Sequence, residues 1–100
     1  MSQHVSLEEC GEIAQILREE NVDARADGQE ACVCCPDEVW SVVIGEFVFT
    51  DEDGGWWGID TRTNNMIDLR LARASSAADV APAIHRGAVV LTAARGASRS

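Results

Sequence analysis

Hydrophobic positions recur at steps of three and four over the first twenty residues. Ahead of them, Ser6-Leu7-Glu8-Glu9 forms a capping box, in which the Glu9 amide donates to the Ser6 hydroxyl and the Ser6 amide donates to the Glu9 carboxylate. This spacing predicts a helix that begins after Ser6 and ends near Glu20 or Asn21. Its predicted inner face carries Leu7, Cys10, Ile13, Ala14 and Leu17.

The hydrophobic period changes to two from Val22 onward, which is typical of strands. Alternation from Val22 to Ala26, followed by Asp27-Gly28, predicts a hairpin over residues 22–35. The apolar run of residues 39–49 is rich in β-branched and aromatic residues and predicts one central strand. Its two predicted faces carry Val39, Val43, Phe47 and Phe49 on one side and Trp40, Val42, Ile44 and Val48 on the other.

Two shorter strands and a second helix complete the predicted order. Turns over residues 50–55 and 61–65 delimit strands over 56–60 and 66–72, the latter with its apolar residues on one face. Asp79 is the expected N-cap of the second helix, because it places Pro82 in the first turn, where the missing N–H is not needed. The predicted inner faces carry Ile67, Leu69 and Leu71 on the last strand and Val80, Ile84, Gly87, Ala88 and Leu91 on the helix.

The pattern therefore predicts a single α+β domain over residues 1–94, with residues 95–100 as a disordered tail. The domain is expected to be an antiparallel meander sheet of about five strands, with the N-terminal and C-terminal helices packed on one face. This order resembles the YbjN and type III secretion chaperone-like domains over roughly residues 6–92. The resemblance is carried by the capped first helix, the alternation of Val22–Ala26 and the strand Trp56-Trp57-Gly58-Ile59. It implies a dimeric, non-enzymatic adaptor and assigns no role to any residue.

Charge is distributed unevenly along the chain. Residues 1–60 have a net charge of −13 and residues 61–100 one of +4, within a total of −9. Because negative charge repels phosphate backbones, direct nucleic-acid binding is not expected, and a protein with a basic surface is the better partner. The sequence shows neither a membrane-spanning apolar run nor a signal peptide, so we expect a cytoplasmic protein with no membrane association.

Four cysteines are candidate metal ligands. Zinc and iron–sulfur sites usually use two Cys-x-x-Cys knuckles, whereas Cys32, Cys34 and Cys35 form a Cys-x-Cys-Cys run in a predicted strand and Cys10 stands alone. On a strand, Cys32 and Cys34 share one face while Cys35 points to the other. We therefore predict a structural role and no cofactor. A thiol- or metal-dependent sensor that uses Cys10, Cys32, Cys34 and Cys35 stays open as an alternative.

One face of the predicted sheet has too many apolar residues to face solvent. We expect Trp57, beside Ile59, to face the core, which leaves Trp56 on the reverse face. A homodimer through the sheet, a partner protein or the hairpin of residues 22–35 would cover that face. The predicted partner-binding residues are Trp40, Trp56 and Met66, together with the acidic residues Asp51, Glu52 and Asp53.

These features favour a small acidic protein-binding adaptor, chaperone-like or regulatory in kind. A DNA-mimicking or immunity-type inhibitor of a basic-surfaced partner is the alternative that uses the same acidic segment. No phosphate-binding loop is present, and sequence reasoning places no nucleophile beside His4 or His85. The sequence thus gives no support to an enzyme.

Overall fold

The computed structural model describes residues 5–29, 39–52 and 54–98. Their elements are α1 (Leu7–Glu19), β1 (Ala24–Gln29), β2 (Val39–Ile44), β3 (Phe47–Glu52), β4 (Gly55–Asp60), β5 (Met66–Ala72) and α2 (Ala77–Ser98). The strands form one antiparallel sheet in the order β1-β2-β3-β4-β5, so each strand pairs with its neighbour in the chain. The predicted α+β meander is confirmed.

Both helices pack on the same face of the sheet. Helix α1 contacts β1 and β2, α2 contacts β3, β4 and β5, and the two helices contact each other. Their buried residues join those of the sheet in one core, because each helix presents a single apolar stripe inward. The largest buried core side chains are Trp56, Phe49, Ile13, Leu17, Ile84 and Leu91. The molecule therefore has two layers, and the sheet has an inner face toward the helices and an outer face.

Helix α1 begins and ends where its sequence signals predict. The Glu9 amide donates to the Ser6 hydroxyl at 3.2 Å, and the Glu9 carboxylate lies 3.4 Å from the same hydroxyl. At the other end Asn21 adopts φ 65, and the Val22 amide donates to the Leu17 carbonyl. A left-handed residue just after the last turn is a common helix stop, and asparagine tolerates it.

The predicted single strand over residues 39–49 is wrong, since it is a hairpin. Gly45 has φ 59 and Ile44 pairs with Phe47, so Gly45-Glu46 is a two-residue turn with glycine at its first central position. This is where a type II′ turn requires glycine. Because the turn keeps Ile44 and Phe47 on one side, Phe47 and Phe49 share the inner face with Val42, and the predicted faces are corrected accordingly.

The predicted turn at Asp27-Gly28 is also wrong. Both residues lie within β1, where Asp27 pairs with Ser41 and Gly28 pairs with Trp40. The partner of β1 is therefore β2, and β1 is an edge strand of the sheet. The other half of the predicted hairpin, residues 31–35, lies outside the described residues.

Helix α2 is longer at both ends than predicted. The Asp79 amide donates to the Ser76 hydroxyl at 3.3 Å, so Ser76 is the N-terminal cap and Pro82 is the sixth helical residue. At the other end the helix continues through residues 95–98. The predicted tail is wrong for those four residues because Arg95 has a buried partner, Asp60. Residues 99–100 lie outside the described part of the chain.

Candidate functional site

Two buried carboxylates lie on the inner face of the sheet, and the first is Asp51 of β3. The residue is 6% exposed, and its carboxylate accepts a 2.7 Å hydrogen bond from the Val5 amide. Arg73 lies 3.6 Å from the same carboxylate and donates two hydrogen bonds to Glu9, at 2.9 and 3.0 Å. Asp51 therefore holds two segments against the middle of the sheet: Val5, which precedes α1, and Arg73, which follows β5.

The second buried carboxylate is Asp60, the last residue of β4. Arg95 donates to it from Nε at 2.5 Å and from Nη2 at 2.6 Å, and the Arg62 amide donates at 3.0 Å. The guanidinium also lies 4.8 Å from the centre of the Phe47 ring. The hydrogen bond from Arg95 holds the pKa of the Asp60 carboxyl well below its usual range, against the opposing effect of burial. The same pairing raises the pKa of Arg95.

Chemically, this arrangement keeps Asp60 ionised near neutral pH. A bidentate guanidinium–carboxylate pair is a strong, oriented interaction, and a carboxyl group with a depressed pKa holds no proton near neutral pH and is a weak base. Asp51 is likewise held by a guanidinium and a backbone amide. We therefore interpret both acids as structural anchors.

Of the four predicted thiol ligands, only Cys10 lies in the described residues. It is fully buried on the inner side of α1 and is not in a disulfide. Burial, assisted by the nearby charges of Glu9 and Asp51, raises the pKa of the Cys10 thiol to about 12. Cys32, Cys34 and Cys35 lie outside the described residues. Among the residues that the structure describes, no three potential ligands are grouped so as to hold a metal ion.

The predicted orientation of the two adjacent tryptophans is wrong. Trp56 is 1% exposed and belongs to the core, whereas Trp57 is half-buried on the other side of β4. The pairing explains this, because Trp56 pairs with the inward-facing Asp51 and Trp57 with Thr50. Trp40 is also on the inner face, packed against the core. Trp56 therefore cannot contact a partner from the outer face, which is where the sequence pattern had placed it.

Both inward-facing indoles carry a buried donor. The Nε1 atoms of Trp40 and Trp56 find no hydrogen-bond partner among the residues that the structure describes. Leaving such a group unpaired costs about 1 to 3 kcal/mol.

The outer face carries a continuous apolar row. Val43 pairs with Val48, Val48 with Ile59, and Ile59 with Met66, so the row crosses four adjacent strands. Arg25 of β1 pairs with Val43 and extends the row to the edge of the sheet. Val43 is buried, at 6% exposure, whereas Val48 and Ile59 are partly exposed and Met66 is 55% exposed. We call Val43, Val48, Ile59 and Met66 the outer row.

A second row runs parallel to the outer row, two residues along each strand. Asp27 pairs with Ser41, and Thr50 pairs with Trp57, which in turn pairs with Asp68. This row is polar except at Trp57, which lies beside Ile59. Both described helices contact the opposite face of the sheet, so within residues 5–29, 39–52 and 54–98 no helix covers the two rows.

The remaining predicted contact residues have separate positions. Met66 is exposed on the outer face as expected, but Asp51 is buried on the inner face and is therefore not the surface contact residue that the sequence suggested. The side chains of Glu52 and Asp53 lie outside the described residues. Sequence reasoning missed Val43, Val48 and Ile59 as outer-face residues. Gly45 as a hairpin turn is the signal that identifies the first two, whereas the orientation of Ile59 depends on the pairing of β4 with β3.

Comparison with known protein families, curated proteins and solved structures finds no match to this chain. Neither α1 nor α2, as far as the described residues extend, combines the length and apolar character that a membrane crossing requires.

Proposed function

We propose that this protein is a small protein-binding adaptor, of the chaperone-like or regulatory kind, and that its contact surface is the outer face of the sheet. The observation that carries the proposal is the part of the outer row that is open to solvent, Val48, Ile59 and Met66, which crosses three strands with no described helix over it. The resemblance to YbjN and secretion-chaperone-like domains points to the same class of protein.

The residue types on this face support a protein as the ligand. Trp57 and Met66 belong to the residue types that are enriched in protein interfaces. Met66 is 55% exposed and continues a row whose other members are partly or fully buried, so a ligand that covers it would extend the apolar contact without interruption. A flat strip of this kind fits another protein surface better than a small molecule, which requires a concave site.

Photocrosslinking tests this proposal. We would replace Met66 with a photoreactive benzophenone amino acid and illuminate intact cells that express the variant. The matched control places the same group at Val89, which is 59% exposed on α2, on the far side of the molecule. The expected result is a heavier covalent product from position 66 and none from position 89. Absence of any product from position 66 would overturn the proposal.

A second candidate function is favoured by the outward side of α1. Glu8, Glu12 and Glu19 are exposed there, opposite the buried stripe of Cys10 and Leu17, and extend over about 16 Å of helix. This acidic face fits a partner with a basic surface, including one that normally binds DNA. Such a complex should weaken steeply between about 0.05 and 0.5 M salt, because screening removes long-range charge attraction. An affinity that does not change over this range would contradict this second candidate.

A further inference from the structure

Given the proposed function, on which this inference rests, we infer that the thioether of Met66 is a modification site. Its oxidation to the sulfoxide by a hydroperoxide releases the partner protein from the outer face. Met66 is the first residue of β5, an edge strand of the sheet, and it pairs with Ile59. It is therefore the open end of the outer row and, at 55% exposure, a sulfur atom that solvent oxidants can reach.

The described part of the chain contains two sulfur-bearing side chains, Cys10 and Met66, and they differ in access. Cys10 has no exposed surface, and burial raises the pKa of its thiol to about 12, so very little of the reactive thiolate is present near neutral pH. A thioether reacts without losing a proton, and that of Met66 is exposed. Between these two side chains, a hydroperoxide therefore oxidises Met66 first.

The oxidation is a two-electron step for which the hydroperoxide is the only co-reactant. A lone pair of the Met66 sulfur attacks one oxygen of hydrogen peroxide, so that an S–O bond forms and the O–O bond breaks. The leaving hydroxide keeps the electron pair of the O–O bond and takes the proton from the transferred oxygen. The products are a sulfoxide and one molecule of water.

The product makes the outer row polar at its most exposed position. A sulfoxide oxygen is a hydrogen-bond acceptor, and covering it with an apolar surface without a donor is unfavourable. Val48 and Ile59, the partly exposed members of the same row, have aliphatic side chains and offer no donor. A partner that packs on this row would therefore have to bury an unpaired polar atom, so oxidation weakens its binding.

The same position makes the modification compatible with the fold. Oxidation of a buried methionine disrupts the core around it. Met66 is outside the core cluster and lies on the face of the sheet opposite the two helices. Oxidation therefore changes the contact surface and leaves the folded domain in place. A methionine sulfoxide reductase with a thiol as reductant can then restore the surface.

Peptide mass spectrometry after treatment with about 1 mM hydrogen peroxide tests the site. Met66 should gain one oxygen atom at a rate within about threefold of its rate in denaturing urea, while Cys10 stays unmodified in the folded chain. The unfolding temperature, measured by circular dichroism, should change by no more than about 2 °C. A rate that is tenfold or more slower in the folded chain, or an unfolded product, would overturn the inference.

Photocrosslinking tests the effect on the partner, with the benzophenone amino acid at position 57 so that Met66 stays intact. Replacing Trp57 in this way keeps an aromatic ring on the same face. The purified variant is oxidised, freed of peroxide, added to a cell extract without small reductants and illuminated. Oxidation should reduce the heavier covalent product at least about fivefold. Treatment with the reductase and dithiothreitol should restore the product, and dithiothreitol alone should not.

Three substitutions assign the effect to the Met66 sulfur. Met66→Leu keeps the row apolar and should give the same product before and after peroxide, whereas Met66→Gln should give less product without peroxide. Adding Val89→Met to Met66→Leu places an exposed methionine on α2 instead, where its oxidation should leave the product unchanged. Loss of product from oxidised Met66→Leu would mean that another group carries the effect, and would overturn the inference.

The outcomes separate this inference from the proposed function. If oxidised Met66 abolishes the product and Met66→Leu retains it, both stand. If Met66 is oxidised and the product persists, only the present inference fails. If positions 57 and 66 both give no product before oxidation, both fail.

Discussion

Arg95 donates two hydrogen bonds to Asp60, a residue 35 positions earlier in the chain, and so joins the end of helix α2 to the end of strand β4. The pair lies beside the ring of Phe47, and Asp60 has no solvent-exposed surface. Removing one partner of a buried ion pair leaves the other charge without compensation. The pair therefore makes stability depend on two residues that no local pattern connects.

Asp60→Asn should lower the unfolding temperature at pH 7 by at least about 5 °C, because the partly buried Arg95 loses its closest carboxylate and keeps only Glu46, at 3.8 Å. Thermal unfolding followed by circular dichroism measures the change. The control Asp23→Asn removes an exposed carboxylate of the same type and should shift the midpoint by no more than about 2 °C. Equal shifts for both variants would contradict the anchoring role of Asp60.

The stability that Asp60 contributes should depend on pH in one direction. Its pKa is lowered in the folded protein, so the contribution is complete above the unfolded value of about 3.9 and is lost as pH falls toward the folded value. The difference in unfolding free energy between the wild type and Asp60→Asn should therefore be constant from pH 5 to 7 and smaller at pH 3. Urea titrations at these pH values measure it, and a difference that grows on acidification would have the wrong sign.

Gly58 and Gly11 should respond in opposite ways to the same substitution. A Cβ at Gly58 would lie 2.5 and 2.6 Å from two ring carbons of Phe49, whereas one at Gly11 meets no described atom within 4 Å. Gly58→Ala should lower the free energy of unfolding by about 1 to 3 kcal/mol through overpacking. Gly11→Ala should raise it by up to about 1 kcal/mol, because alanine favours the helix. Urea unfolding compares them, and a Gly58→Ala variant as stable as the wild type would mean that the ring does not lie over this glycine.

Cys10 should be unreactive until the protein unfolds, because its thiol is buried and its pKa is raised to about 12. The test uses a variant in which Cys32, Cys34 and Cys35 are replaced by serine, so that Cys10 is the only thiol. At pH 8, labelling by a chromogenic disulfide should be at least about a hundredfold slower in buffer than in denaturing urea. Equal rates in the two solutions would show that Cys10 is accessible in the folded chain.

Gly45 should tolerate asparagine better than valine. Its φ of 59 lies in the left-handed region, which asparagine adopts more readily than a β-branched residue. Gly45→Val should lower the free energy of unfolding by at least about 1 to 2 kcal/mol, and Gly45→Asn by less. Urea titration measures both, and the opposite order would mean that the hairpin turn is not as described.

The sequence predicted those parts of the fold that depend on local patterns. The Ser6 capping box and the spacing from Cys10 to Leu17 locate α1, and the alternation after Met66 locates β5 with the bounds that the structure has. These signals suffice to locate both elements, because the amphipathic period and the helix cap each depend on only a few neighbouring residues. The order from β2 to β5 follows, since consecutive strands joined by short turns pair as neighbours.

The outer face was mispredicted because of one glycine. Gly45 stands in a run of apolar residues, and a single glycine is a weaker signal than the β-branched residues around it. Once the run is treated as one strand, Phe47 and Val48 are assigned to the wrong faces. The choice between Trp56 and Trp57 depends on the pairing of β4 with β3, which is a tertiary relationship. The partners of Asp51 and Asp60 are separated by 46 and 35 residues, so sequence spacing does not indicate them.

The two buried carboxylates also affect the order in which the chain can complete its fold. The strand pairs are between neighbours in the chain and can form early, whereas the contact of Val5 with Asp51 and that of Arg95 with Asp60 close long loops. During synthesis, the Asp60 carboxylate has no guanidinium partner until Arg95 has been added to the chain. We therefore expect the strand pairs to form before these two long-range contacts, so that native packing is completed when both helices have docked.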